Sequence, residues 1–197
     1  MVRTSLPRVL IIAAASIAGL AGIAAPAALA AGQNSIPDRI NASASSGSPV
    51  AIPQSIHPSV KSATDLGPAS PVTRLDMSIR FNMTGAQQAA VDQLLIDQQN
   101  PASPSYHQWL TPIQYGAQFG LSSTDIAKVT AWLTSQGFTV TGVAPSSNLI
   151  TFDGTVAQAQ AAFATSIHNV SLNGETHFAN VTNVSVPSAF AVYWARW

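Results

Sequence analysis

The sequence contains no cysteine and few charged residues, and each shortage excludes a class of protein. Without cysteine the chain has no disulfide framework, no thiol chemistry and no cysteine-ligated zinc site. Charged residues make up 8% of the chain, against about 25% in ordinary globular proteins. Its 8 basic and 8 acidic residues balance, and no Lys/Arg cluster occurs. This argues against nucleic-acid binding, which requires a basic surface.

Hydrophobic residues, by contrast, are abundant. They account for 47% of the 197 residues, which argues against disorder throughout the chain. The length is that of a single domain of ordinary size.

The first thirty residues have the pattern of a secretory signal peptide. Arg3 and Arg8 form a positive n-region, and an apolar stretch follows over residues 9–25. Ala28 and Ala30 supply the small residues of a signal-peptidase cleavage site. Cleavage after Ala30 removes two basic residues and no acidic one, so 8 basic residues become 6 against 8 acidic, a net charge of −2. We expect an exported product, extracellular or periplasmic.

A permanent membrane anchor is the alternative for this segment, because its apolar run is nearly long enough to span a bilayer. Gly19, Gly22 and Pro26 weaken that interpretation, and the cleavage site favours removal. We therefore expect no stable membrane insertion of the mature chain.

Residues 31–70 have the composition of a flexible linker. They are rich in Ser, Pro, Ala and Gly, without a sustained period of 2 or 3.6. Such a segment has little apolar side chain to bury against the entropy of ordering. The sequence thus predicts a mobile linker, a folded domain over residues 71–190 and a short tail over residues 191–197.

The start of the domain has clear periodicity. Residues 75–81 alternate between apolar and polar side chains, which predicts a half-buried strand. Residues 84–99 are predicted to form a helix, and residues 112–119 a shorter one that begins with proline. The apolar residues on one face of the longer helix are Ala90, Val91, Leu94 and Leu95.

The rest of the domain completes a ferredoxin-like pattern. Ser122, with Asp125 three residues later, predicts the N-terminus of a helix, and Thr155 with Gln158 predicts another. Asn173–Gly174 is a strong signal for a two-residue hairpin. The predicted strands cover residues 138–143, 148–153, 167–172 and 175–178. The order of elements predicts an α+β fold, a ferredoxin-like antiparallel sheet with helices packed on one face.

Residues 98–112, with the sequence QQNPASPSYHQWLTP, closely resemble the signature of the pro-kumamolisin activation domain. This domain is the N-terminal propeptide of the sedolisin-type (serine-carboxyl) peptidases. Further matches extend the resemblance over roughly residues 66–190. The residues of this chain that carry the signature are Pro101, Ser103, Pro104, Tyr106, His107, Trp109, Leu110, Thr111, Pro112, Phe119, Gly154, Phe163, His168 and Asn180.

The resemblance implies a propeptide that helps a subtilisin-like catalytic domain to fold and blocks its active site until acid-triggered processing. That catalytic domain uses Ser, Glu and Asp and carries a calcium site. This sequence has no Gly-Thr-Ser nucleophile segment, no Asp-rich calcium loop and one glutamate, Glu175. We therefore expect no catalytic, cofactor-binding or metal-binding residue and no cofactor. The expected partner is a sedolisin-type catalytic domain, bound in trans or formerly fused to a precursor of which this chain is a shortened remnant.

In a propeptide of this kind the C-terminal segment lies in the protease cleft as an extended, substrate-like strand. Pro187 favours an extended conformation at the preceding residue, Val186. The predicted partner-binding residues are Val184, Ser185, Val186, Pro187, Ser188, Ala189 and Phe190. Asp153 and Glu175 are the carboxylates through which we expect acid to act on this side of the interface.

Other interpretations of the same residues stay open. His168 and His177 lie in the last hairpin and could form a metal-binding pair, although packing or surface roles fit them better. Tyr106, Trp109 and Trp132 are most simply core aromatics, with an interface role as the alternative. The chain could also be a secreted interaction module with the same fold and an unrelated partner.

Overall fold

The computed structural model describes residues 36–40 and 48–191. The predicted signal peptide, with its cleavage residues Ala28 and Ala30, and the tail beyond Ala191 lie outside the described residues. Within the described ranges, no helix is both long and apolar enough to cross a membrane.

The described residues form eight strands and five α-helices in an α+β fold, as predicted. The strands are β1 (Pro49–Ala51), β2 (Thr64–Pro68), β3 (Arg74–Arg80), β4 (Thr139–Val143), β5 (Leu149–Thr155), β6 (Ile167–Leu172), β7 (Glu175–Asn180) and β8 (Ser185–Pro187). The helices are α1 (Gly85–Gln99), α2 (Pro112–Phe119), α3 (Ser123–Ser135), α4 (Val156–Phe163) and α5 (Ser188–Ala191), and a 3-10 helix spans Pro58–Ser62.

Antiparallel strands in the order β3-β5-β4 form the central sheet. Side chains alternate along β3, so that Ile79 is buried while Asp76, Ser78 and Arg80 are exposed. Apolar residues of α3 and α4 belong to the same core cluster as the buried face of the sheet. The helices thus pack on one face, as predicted, and the opposite face is open and polar.

The structure divides the strands among three sheets where the sequence pattern suggests one. β6 pairs with β2 and β7 in a second sheet, and β1 pairs with β8 in a third. A cleft of about 570 Å³ lies between β3 and the β6–β7 hairpin, with Met77, Phe163 and Phe178 among its lining residues. β6 is therefore paired along both of its edges without joining the central sheet.

Aromatic rings occupy the centre of the core. Phe138 packs against Phe152 with ring centroids 5.1 Å apart, and Trp132 contacts Phe163 at 5.6 Å and Phe190 at 5.5 Å. These tilted contacts are the arrangement that aromatic quadrupoles favour. The prediction of Trp132 as a core residue is confirmed.

Much of the segment predicted as a mobile linker is built into the domain. Ile40 and Ile52 are buried in the core cluster, and β1 and β2 both lie within residues 31–70. These apolar residues are isolated in a Ser- and Pro-rich context, so no periodicity reveals them. Their burial depends on partners more than 80 residues away, such as Asp125, which accepts a hydrogen bond from the Ile40 amide.

Residues 36–40, here called the N-terminal strap, are held at the start of α3. The fully buried carboxylate of Asp125 accepts hydrogen bonds from the backbone N–H groups of Arg39 at 2.7 Å and Ile40 at 3.0 Å. The Ser122 hydroxyl donates to Asp38 at 2.7 Å and also accepts the Asp125 N–H as the helix cap. The buried charge is thus satisfied by the strap and by Lys128, whose Nζ lies 3.5 Å away.

The apolar face predicted for the first helix is largely unburied. In α1, Val91 and Leu94 are half-buried, and Ala90 and Leu95 are exposed. The one buried residue of α1 is the polar Gln98. The predicted helix forms, over Gly85–Gln99, but the residues placed on one face of it contribute little to the core.

Candidate functional site

The predicted partner-binding segment, residues 184–190, is part of the domain in this structure. β8 pairs with β1 in the register Val50↔Val186. The Ile52 N–H donates to the Val184 carbonyl at 2.8 Å, and the Val184 N–H donates to the Ser55 hydroxyl at 2.9 Å. Val186 and Phe190 are fully buried. Placement of this segment in a protease cleft stays a prediction, and it requires that β8 separate from β1.

The signature residues 101–109 form a turn-rich loop that ends in an exposed aromatic stack. Tyr106 stacks on His107 with ring centroids 3.8 Å apart, and His107 lies 6.0 Å from Trp109. Tyr106 is exposed and Trp109 is 64% exposed, so the prediction that they are core aromatics is wrong. The buried Gln98 side chain at the end of α1 bonds to this loop, and the aromatic rings of the loop are exposed.

The remaining signature residues have mainly structural roles. Thr111 forms a capping box with Gln114, and Pro112 occupies the first turn of α2. At Gly154 any Cβ would approach the Phe138 ring to 2.4 Å, so a close contact between strand and ring requires glycine. Phe119 and Phe163 are buried, Leu110 and Ser103 are half-buried, and Pro101 and Pro104 are exposed.

The two histidines of the last hairpin have separate carboxylate partners. His168 Nδ1 lies 2.8 Å from Asp65 of β2, and His177 Nε2 lies 3.8 Å from Glu175. Among the residues that the structure describes, no three His, Cys, Asp or Glu side chains gather in a possible metal site. The Asn180 side chain donates to the Ser55 carbonyl at 3.1 Å, which holds β7 to the segment after β1.

The pKa of Asp65 is lowered from its usual 3.8, first by the hydrogen bond from the Gly67 N–H and then by His168. A lowered pKa in the folded state stabilises the domain above the usual value, and this contribution is lost as the pH falls through the folded pKa. We expect Asp65→Asn to lower the denaturation midpoint at pH 5, where the Asp65 carboxylate is ionised, and by less as the pH falls below about 4. Urea denaturation of both proteins across this range measures it, and a difference that vanishes by pH 5 would contradict the expectation.

Charged side chains mark the open face of the central sheet. Arg74 forms an ion pair with Asp153 across the β3–β5 pair. Asp76 stands directly opposite Asp153 in the register, so two carboxylates lie side by side next to one guanidinium. Glu175, the other carboxylate predicted to respond to acid, is exposed at the end of the β6–β7 hairpin. The sheet face is therefore a polar, exposed surface whose charge pattern changes when its carboxylates are protonated.

Comparison with known proteins finds sequence relatives for most of the described residues. The family model described as "Pro-kumamolisin, activation domain" matches residues 61–193. The chain is 37% identical over 100 residues to Xanthomonalisin of Xanthomonas sp. (strain T-22), which covers 51% of this chain and 12% of that protein. It is 30% identical over 100 residues to Sedolisin of Pseudomonas sp. (strain 101), covering 51% of this chain and 17% of that protein. The chain thus spans less than a fifth of the length of these relatives.

Proposed function

The chain belongs to the family of pro-kumamolisin activation domains, and from this membership we propose that it is an exported propeptide-type domain. It inhibits a sedolisin-type, acid-acting serine peptidase and assists its folding, and it is itself non-catalytic. The observation that carries the proposal is the open face of the β3-β5-β4 sheet, a rigid surface uncovered by the helices, within residues that match the family.

The sheet face is suited to contact with a folded catalytic domain. Its exposed residues include Arg74, Asp76, Ser78 and Arg80 of β3, and the other face of the sheet packs on the helices through the aromatic core. A specific interface of ordinary size needs about 800 Å² from each partner. The mixed charges determine how the two surfaces align more than how tightly they bind. A preformed face of this kind also gives a folding catalytic domain a template to pack against.

The C-terminal segment supplies the block in this proposal. In this proposal β8 leaves β1 and α5 unwinds, so that residues 184–190 enter the cleft of the peptidase as an extended strand. Main-chain hydrogen bonds to the peptidase then replace those of the β1–β8 pair. The exchange exposes Val186 and Phe190, which are fully buried in the free domain. Binding to the peptidase must therefore provide enough free energy to compensate for their loss from the core.

Acidification provides the release. Protonation of Asp76, Asp153 and Glu175 removes negative charge from the interface, so contacts to cations of the partner weaken. We expect affinity for the peptidase to fall as the pH is lowered from 7 to 3. An affinity that is unchanged over this range would exclude acid-driven release from this side of the interface.

Titration of residues 31–197 into a mature sedolisin-type peptidase tests the proposal. We expect inhibition at pH 6 that is weaker at pH 4, and a higher yield of active enzyme when the denatured catalytic domain is refolded with the domain present. Asp76→Asn on the open face should weaken inhibition, whereas Lys61→Gln, which removes an exposed charge on the 3-10 helix, serves as the control. A folded domain that neither inhibits nor assists refolding would refute the proposal and favour a secreted interaction module with another partner.

A further inference from the structure

We propose that the chain carries a second docking surface, away from the open sheet face. The aromatic platform, as we call it, consists of Tyr106, His107 and Trp109, whose rings follow one another on the signature loop. Its occupant is an apolar surface rimmed by Lys or Arg on the catalytic domain of the peptidase. This inference rests on the proposed function, since it names a further contact with the same partner.

The loop that carries the aromatic rings is held in place before any partner arrives. The buried side chain of Gln98 donates to the Gln108 carbonyl at 2.5 Å, and the His107 N–H donates to the Gln98 carbonyl at 3.1 Å. The Tyr106 N–H donates to the Ser103 carbonyl at 3.0 Å and closes a further turn of the loop. A polar residue is thus buried to fix a loop whose aromatic side chains stay outside. A surface fixed in this way loses little conformational entropy on binding.

Several large apolar side chains in and next to this loop are exposed. Trp109 is 64% exposed, Ile96 is 61% exposed and Ile113 is 72% exposed. Ile96 lies on the last turns of α1 and Ile113 on the first turn of α2, the helices on either side of the loop, and the Gln98 hydrogen bonds tie the loop to the end of α1. Trp and Tyr are the residues most enriched where protein interfaces concentrate their binding energy. No residue of the platform lies on the open sheet face.

The charge around the platform determines which partner it fits. From residue 81 to residue 127 the sequence contains no Lys or Arg and three aspartates, Asp92, Asp97 and Asp125. Asp125 is buried beneath the N-terminal strap, whereas Asp92 and Asp97 lie on α1 with Gln88 and Gln93 as neutral hydrogen-bond partners. The platform is therefore apolar with negative charge beside it, which is complementary to an apolar surface with a basic rim.

Binding of platform variants to the mature peptidase, measured by calorimetry and by inhibition, tests the inference. We expect Trp109→Ala to weaken binding by about 30-fold, the effect of truncating an aromatic hot spot. Val72→Ser is the matched control, because Val72 is an equally exposed apolar residue outside the platform. Both variants should keep the circular dichroism spectrum and melting temperature of the wild type, since each replaced side chain is exposed.

The salt dependence of binding tests the contribution of the two aspartates. Raising the salt concentration should weaken binding of the wild type more than binding of the Asp92→Asn/Asp97→Asn double variant, because exposed charges are screened by salt. If the wild type inhibits and Trp109→Ala binds equally well, the platform is refuted while the propeptide function stands. If the wild type does not bind the peptidase at all, the proposed function fails and the platform fails with it.

Discussion

Phe190→Ala should destabilise the isolated domain by about 3–5 kcal/mol, the cost of replacing a fully buried phenylalanine by alanine. The Phe190 ring is completely buried and packs against Trp132 with centroids 5.5 Å apart. Its removal leaves a cavity beside Trp132 and loosens α5, which follows β8 directly. Domains of this size have only about 5–15 kcal/mol of stability, so the loss should be visible as a large shift of the urea midpoint.

Phe178→Ala is the matched control for this variant. Phe178 is 49% exposed on β7, so the same change there should cost far less. An equal effect of the two substitutions would mean that Phe190 is not a core residue in solution. Such a result would favour a C-terminal segment that is free to enter a protease cleft without leaving the domain first.

Asp125→Ala should have the next largest effect, about 3 kcal/mol or more, because it removes the buried acceptor of two backbone hydrogen bonds and an ion-pair partner at once. The Arg39 and Ile40 N–H groups, which donate to this carboxylate at 2.7 Å and 3.0 Å, lose their acceptor. Lys128 loses an ion-pair partner at 3.5 Å. The strap should then detach and expose Ile40, which is fully buried in the wild type.

Denaturation by urea and limited proteolysis together measure this effect. We expect cleavage within residues 36–40 of Asp125→Ala under conditions that leave the strap of the wild type intact, since detached segments are cut first. Asp92→Ala, an exposed aspartate on α1, should change neither stability nor cleavage. A strap that is cleaved equally fast in the wild type would show that residues 36–40 are not held by the domain.

The elements of the fold could be read from the sequence because their signals are local. The alternation in β3, the Ser122 and Thr155 capping residues and the Asn173–Gly174 hairpin all form as expected. The signature loop was also recognised from residue types and spacing, and the family model covers it. Each of these features depends on residues close together in the chain.

Burial at the site could not be read in the same way. Asp125 has the spacing of a helix-capping residue, yet its side chain binds the strap about 85 residues earlier in the chain. Trp109 is a residue type usual in protein cores, yet it is exposed on a loop that the Gln98 side chain holds by a hydrogen bond. Ile40 and Ile52 stand alone in a linker-like sequence and are nevertheless buried. In each case the partner is distant, or the burial depends on which way a loop turns.

The sequence by itself determined the fold class, most of the helices and strands, and the family, because periodicity, caps, turns and signature spacing are properties of short stretches. The tertiary structure alone decided that β1 pairs with β8 and that the linker-like segment belongs to the domain. It also decided that Phe190 lies inside and Trp109 outside. The physical reason is that burial and strand pairing depend on contacts between residues far apart in the chain, which no local pattern specifies.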